Sequence, residues 1–374
     1  MYTNDLMRAM QSNGSDVLLI TQNQSQFGTA PDPSIIYVNP MNVPGLKTTS
    51  FMLRANRKLK QLKDDFDIVH YTNDYCGFGM SRQQIGRSVL ATIHHTHSLE
   101  ASSVSPYIDR GFVTSIRFSI AESLLRKMER STLKNADMVV AVSRFTAENA
   151  LSIYPFLKDK LRIVLNAVDE VRFNPNIASV ELRARLGLEK NPIILYVGRL
   201  AASKGLKFLI EALKEVVAII PNSKLLLIGT GSNEAEQSII SLIHKLDLET
   251  SVVLLGAVSA EDLPKAYSAS DVVVLPSLVE GFGLVLLEGM ASGKPVVATK
   301  LGPTEEIISD GVEGRLVPRA DSHLLASGII SILTDASIAT KMGRAGRKKV
   351  EERFALKNWA DHMAAIYQEL LSRK

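Results

Sequence analysis

Two carboxylates, Glu280 and Glu288, stand on either side of a Gly281-Phe282-Gly283 turn in the stretch PSLVEGFGLVLLEGMASGKPVVAT. An apolar run, DVVVLP, leads into the turn. LVLLEGMAS, which reads as a helix, leads out, and Gly293-Lys294-Pro295 stops it before VVAT. The turn therefore lies at the carboxyl end of a strand and the amino end of a helix, where unpaired N–H groups and the helix dipole attract an anion. A carboxylate beside such a site repels phosphate and suits hydroxyl groups. A ligand with both is a nucleotide, a sugar phosphate, or the two combined. A second loop, VGRLAASKG, follows another apolar run and brings Gly198, Arg199 and Lys204. In a parallel sheet both loops share one end, and two cations with a helix amino end can neutralise a diphosphate. The bland alternative is a solvated loop with a surface lysine.

The elements that position these residues alternate regularly. From NPIILYVG onward, short apolar runs (KLLLIG, SVVLLG, DVVVLP, VVAT, GRLV) are separated by helical stretches such as LKFLIEALKEVVAII and NEAEQSIISLIHKL. That pattern predicts a parallel sheet covered on both faces, with ligands outside the carboxyl ends of its strands. The first half repeats it less cleanly, with DVLLIT, IIYVN, FDIVHY, VLATIHH, DMVVAVS and LRIVLN as strands. AVDEVRFNPNIAS has no periodicity and carries a proline, so the linker is placed there. The expectation is an α/β protein of two doubly wound domains facing across a cleft. The first is residues 1–166, with a final helix at 357–374 crossing back onto it, and the second is 167–356.

Other motifs are weaker. LIGTGSNEAE offers Gly229 and Gly231 after a strand, but Glu234 stands where a dinucleotide fingerprint needs a third glycine. It reads as a tight strand–helix turn near a ligand. His94, His95 and His97 do not read as a metal set: neighbours on a strand point to opposite faces. One of them at a strand end is better suited to a polar contact or a proton. Asp65-Phe66-Asp67 precedes its strand, away from the expected cleft, and reads as structural. The segment with Arg117, Phe118, Ile120, Leu124, Arg126, Lys127 and Arg130 is either a docked surface helix or a contact with an anionic membrane.

At 374 residues the chain exceeds one typical core. Its single cysteine rules out an internal disulfide framework, and with no apolar leader or long apolar run it is expected to be cytoplasmic. Residues 1–166 hold nineteen Lys and Arg against fourteen Asp and Glu, a mild basic bias over a chain of net charge +4. That bias suits a phosphorylated substrate or an anionic membrane surface; no nucleic-acid partner is expected.

Together Glu280-x7-Glu288 in EGFGLVLLE, VGRL…KG, AVSRFTAEN, LNAVDEVRFNP and ERFALKNWA resemble the family 4 retaining glycosyltransferases, which have the GT-B fold. The resemblance runs from about Asp16 to the end. It implies a UDP- or GDP-sugar donor and a hydroxyl acceptor on a glycan, a lipid-linked molecule or a small molecule. Glu288 would bind the ribose hydroxyls, Glu280 the transferred sugar, and Arg199 and Lys204 the diphosphate. His94 would lie by the donor sugar, and Gly198, Gly229 and Gly281–Gly283 would line the nucleotide site. No metal and no separate cofactor is implied. The anomeric configuration would be kept, by front-face attack of the acceptor as the nucleotide departs. Two departures stand out. Asn166-Ala167-Val168-Asp169 replaces the usual Asn-Gly-Val-Asp. The sequence also opens inside the helix of YTNDLMRAM, where the family has a strand and a glycine-rich loop before it, so a loosened first domain is expected. A non-catalytic sugar-nucleotide binder, a GT-B epimerase and a phosphorylase remain alternatives at this stage.

Overall fold

The computed structural model describes residues 2–22, 33–40, 47–62, 64–104 and 112–373. The chain divides into two compact units. One comprises Met1–Ser98, Arg110–Leu165 and Lys357–Lys374; the other comprises Leu99–Asp109 and Asn166–Leu356. Twelve strands are described: β1 Leu19–Thr21, β2 Ile35–Tyr37, β3 Ile68–Tyr71, β4 Ser88–Ile93, β5 Met138–Ala141, β6 Leu161–Ile163, β7 Ile193–Val197, β8 Lys224–Ile228, β9 Val252–Gly256, β10 Val272–Leu275, β11 Val296–Thr299 and β12 Gly314–Val317.

In the second unit β7–β12 form one parallel sheet in the order β12-β11-β10-β7-β8-β9. The chain moves outward from β7 to β9, then returns to lay β10 on the other side of β7. The strand order therefore reverses between β7 and β10, and the crevice outside their carboxyl ends is where such sheets bind ligands. β10 and β11 are buried along their whole length, as a sheet covered on both faces requires. Helix Leu206–Ile219 buries Leu206, Leu209, Ile210, Leu213 and Val216, one stripe at helical spacing, and gives way to Pro221. Its Leu209 and Leu213 join Ile194, Leu225, Val272 and Ile329 in a common core.

The first unit carries a four-stranded parallel sheet, β3-β4-β5-β6, and a separate parallel pair, β1-β2. Among the described residues β3 pairs with β4 alone, and neither DVLLIT nor IIYVN joins the larger sheet. Helix Tyr2–Ser12 packs Leu6, Met7, Ala9 and Met10 inward. The helix Leu356–Ser372 buries Trp359, Met363, Ile366 and Leu370. Its Tyr367 hydroxyl meets His70 at 2.7 Å, and its Glu369 pairs with Arg162 of β6 at 2.5 Å. No single helix among the described residues is long and apolar enough to cross a membrane.

The segment AVDEVRFNPNIAS, read as the domain linker, is packed onto the second unit: Phe173 is buried against the ring of Tyr267, and Arg347 donates to the carbonyls of Glu170, Phe173 and Ala291. An aperiodic stretch is held here by one aromatic anchor and one guanidinium. One sequence reading needs correction: His94 and His95 are not strand neighbours facing opposite ways, because β4 ends at Ile93 and both lie in the bend after it.

Candidate functional site

In the second unit the loops after β7 and β10 are joined. The amide of Leu278 donates to the carbonyl of Ser203 at 2.8 Å. Gly205 sits at φ +65°, and a Cβ there would lie 1.9 Å from the carbonyl oxygen of Pro276, so only glycine lets the backbones touch. Lys204 ends a short 3₁₀ turn, Ala202–Lys204, and its Nζ reaches Glu280 Oε1 at 2.5 Å. Ser277 Oγ donates to the same oxygen at 2.7 Å. The lysine side chain is 20% exposed and the carboxylate 10%, so this ion pair is largely shielded from water. The sequence named both residues and gave no hint that they pair. Only the β7–β10 adjacency does that.

Arg199 is exposed on the same loop, and its carbonyl accepts the hydroxyl of buried Tyr196 at 2.8 Å. Burial and the Glu280 charge push that phenol well above its usual range, so it remains a donor. The loop after β8 lies alongside. A Cβ on Gly229 would fall 1.8 Å from the carbonyl oxygen of Gly198, and the Leu200 amide bonds Thr230 at 2.9 Å. Close backbone packing is thus reason enough for Gly229, beside any role toward a ligand.

Gly283, at φ +110°, caps helix Leu284–Ala291, whose amino end points out of the β10 turn. Phe282 is buried and stacks edge-on with Phe354. Gly281 precedes it in the bend. Glu288, on the second turn of the helix, is only 1% exposed, and Tyr267 donates a short hydrogen bond to its Oε2. Burial and the Glu288 charge raise the Tyr267 hydroxyl well above its usual range. Tyr267 is the residue sequence reading missed. It sits in helix Asp262–Ala269 with nothing but a buried position to mark it.

In the first unit, His94 stands past the end of β4. Its Nε2 donates to the Thr72 carbonyl at 3.1 Å, which leaves Nδ1 as the acceptor, and Tyr2 packs edge-on at 4.8 Å. Burial lowers its pKa to about 4, so the ring is neutral at physiological pH. His70 bridges Tyr367 and Thr92 and is lowered to about 3, by burial first and by His94 second. The rings of His95 and His97 lie 6.2 Å apart. Asp67 ends the bend before β3, at the amino end of that strand. Arg126, Lys127 and Arg130 line a groove of about 430 Å³ with Ser123, Tyr154 and Phe156. The side chains of Arg117 and Phe118 lie outside the described residues.

Comparison with known proteins places this geometry. Residues 179–349 match the model "Glycosyl transferases group 1", and residues 1–172 match "Glycosyltransferase Family 4". An uncharacterized glycosyltransferase of Methanocaldococcus jannaschii is 27% identical over 97% of this chain and 92% of its own length. The D-inositol 3-phosphate glycosyltransferase of Xylanimonas cellulosilytica is 30% identical over the whole chain and 92% of its own. Sucrose-phosphate synthase from Thermosynechococcus elongatus superposes with a TM-score of 0.81 at 27% identity, over 100% of this chain and 93% of that one. The chain belongs to the family 4 glycosyltransferases: it is a glycosyltransferase with the GT-B fold of two Rossmann-like α/β domains.

Proposed function

We propose, on the premise of that membership, that this enzyme moves a sugar from a UDP- or GDP-sugar to a hydroxyl acceptor, with retention and without a metal ion. The observation that carries the reading is the shielded Lys204–Glu280 pair at the strand-order reversal. The pair keeps both charges neutralised until a donor offers phosphate oxygens to Lys204 and sugar hydroxyls to Glu280. Each side chain then exchanges one partner for another, and neither charge is left bare in a low-dielectric site.

As the bond between the anomeric carbon and the β-phosphate oxygen breaks, negative charge gathers on the diphosphate. Lys204, Arg199 and the amino end of helix Leu284–Ala291 meet it, and they hold it harder than they held the ground state. The acceptor hydroxyl attacks from the face the nucleotide leaves, and its proton passes to the departing phosphate. Glu288, fixed by Tyr267, accepts the ribose hydroxyls. Neutral His94 offers the donor sugar an acceptor nitrogen rather than a charge. The acceptor is a glycan, a lipid-linked molecule or a small molecule. The enzyme works in the cytoplasm, with the groove of Arg126, Lys127 and Arg130 against an anionic membrane face.

A thermal-shift screen of UDP- and GDP-sugars tests the donor: a ligand at about 100 times its dissociation constant adds about 2.7 kcal/mol. Nucleotide release from the stabilising donor should survive EDTA, and the product should keep the donor's anomeric configuration by NMR. An activity lost to EDTA and restored by magnesium overturns the metal-free mechanism. An inverted product overturns retention.

A further inference from the structure

One buried acid in the first unit has no part in the chemistry above. Glu129 lies on the long helix Phe112–Asn135 and is completely buried. Its Oε2 accepts the backbone N–H of His97 at 3.3 Å. The Tyr154 hydroxyl, at the end of helix Arg144–Ile153, hydrogen-bonds with it as well. Asp74, itself buried in the turn after β3, faces it, as does His95. Arg126 acts on the cluster through Tyr154. One side chain thus ties the segment that leaves the carboxyl end of β4 to the helix that follows β5, while Asp74 after β3 acts on it by charge. The same helix holds the other end of the loop: Thr146 Oγ1 donates to the carbonyl of His94 at 3.2 Å.

We infer that Glu129 is a positioning residue of the transfer reaction, which sets His94 by pinning the His94–His97 loop through the His97 N–H. The inference rests on the proposed placement of His94 at the donor sugar. Its physical basis is the cost of a bare charge. Burial first, and then the charge of Asp74, push the Glu129 carboxyl up to about 8, while the His97 N–H and the His95 ring pull the other way. At neutral pH Glu129 is protonated beside charged Asp74. Ionisation sets two negative charges, Glu129 and Asp74, together in a buried site, and relief of that repulsion displaces Glu129 from the loop it pins.

The test uses the full chain with Glu129→Gln, which keeps the shape and neutrality of the protonated acid, and Glu129→Ala, which removes the pin. Amide exchange of the peptide containing His97 is followed by mass spectrometry at neutral pH. Release of UDP from UDP-glucose, or of GDP from GDP-mannose, is followed from about pH 6.5 to 9. Glu129→Gln should leave exchange and neutral-pH kcat within about twofold and abolish the fall in kcat above about pH 8. Glu129→Ala should speed exchange at least about tenfold and lower kcat by a similar factor, with little change in the donor KM. Unchanged exchange in Glu129→Ala, or an alkaline fall that persists in Glu129→Gln, overturns the inference. If Glu129→Ala does not fold, the comparison of Glu129→Gln with the parent across pH decides alone. The exchange arm does not depend on the donor. If exchange responds as expected while the parent releases neither nucleotide, it is the UDP/GDP donor reading that fails.

Discussion

The pH dependence of the first unit's stability follows from three buried groups, and its sign can be worked out for each. His70 and His94 have folded pKa values of about 3 and about 4, below the ordinary 6.5. Their contribution is present above pH 6.5 and is lost as pH falls toward the folded values, because the unfolded chain takes up protons the fold refuses. Glu129 is raised from 4.5 to about 8, so its contribution is present below 4.5 and is lost as pH rises through about 8. Going from about pH 6.5 to about 5, each histidine costs about 1.6 kcal/mol, while Glu129 returns about 2 kcal/mol. The net loss is about 1 kcal/mol. From about pH 6.5 to 8 the Glu129 loss outweighs what the histidines return, again by about 1 kcal/mol. Stability of this unit should therefore peak near pH 6.5. The acid-side slope needs only that both histidines stay neutral in the fold down to about pH 5, not that they reach any particular value.

Trp359 makes this measurable. It is the chain's one tryptophan, it is buried, and it belongs to the first unit, 5.4 Å from the ring of Tyr2. Its fluorescence on heating reports that unit. At about 2–4 °C per kcal/mol, the midpoint should fall by about 3 °C on going from pH 6.5 to 5. Glu129→Gln removes the compensating group, so the acid loss should grow to about 3 kcal/mol, or about 9 °C, and the alkaline fall should vanish. A parent midpoint that stays level or rises between pH 6.5 and 5 refutes the reasoning, since at least one histidine would then take its proton inside the fold.

Three further outcomes are expected in the second unit. Lys204→Ala should lower kcat about 100-fold or more, and should also destabilise the unit by roughly 3 kcal/mol by leaving shielded Glu280 without its cation. Adding Glu280→Gln should restore most of that stability but not turnover, and recovery of both by urea titration and nucleotide release would reduce the pair to a structural role. Glu288→Gln should weaken nucleoside diphosphate binding roughly 10- to 150-fold, from hydrogen bonds of about 1.5–3 kcal/mol; calorimetry giving an unchanged dissociation constant removes the ribose assignment. Gly205→Ala forces a Cβ into the carbonyl of Pro276 and should cost at least about 1–3 kcal/mol while weakening nucleotide binding, and a variant that melts and binds like the parent would mean the two loops part without consequence.

How much of this could be read in the sequence depended on how local the signal was. The second unit was legible because most of its strands are apolar runs and its long helices carry a stripe, as in Val272–Leu275 and Leu206–Ile219. The candidate site residues Arg199, Lys204, Glu280 and Glu288 stood out by type and spacing. What stayed hidden was partnership. Lys204 meets Glu280 only because β10 returns beside β7, and a list of apolar runs does not fix strand order. Tyr267 meets Glu288 across two helices, and Glu129 meets His97 across a helix and a loop. In the first unit the strands are as short as three residues, so their length was overestimated in DVLLIT, and the division of the sheet into two pieces rests on pairings no run of residues announces.

Glu129, Glu280, Glu288 and Glu313 are among the described carboxylates largely withdrawn from water, and the way each is accommodated separates support from chemistry. An isolated buried carboxylate costs several kcal/mol, so none can be left without compensation. Glu313 is compensated twice, by the Ser309 amide of its own turn at 2.7 Å and by Lys349, at the end of helix Ala336–Lys349, at 2.9 Å. That is a closed structural knot. Glu129 is accommodated by giving up its charge, which makes it a brace. Glu280 and Glu288 are held by side chains from other segments. Glu280 is held by a lysine that has an equally good use for a phosphate, and Glu288 by a tyrosine whose proton burial and charge prevent it from losing. Both sit at the one place in the second sheet where strand order reverses. On the proposed reading, carboxylates held by partners that can be exchanged or that only orient them are what recognition of hydroxyl groups requires.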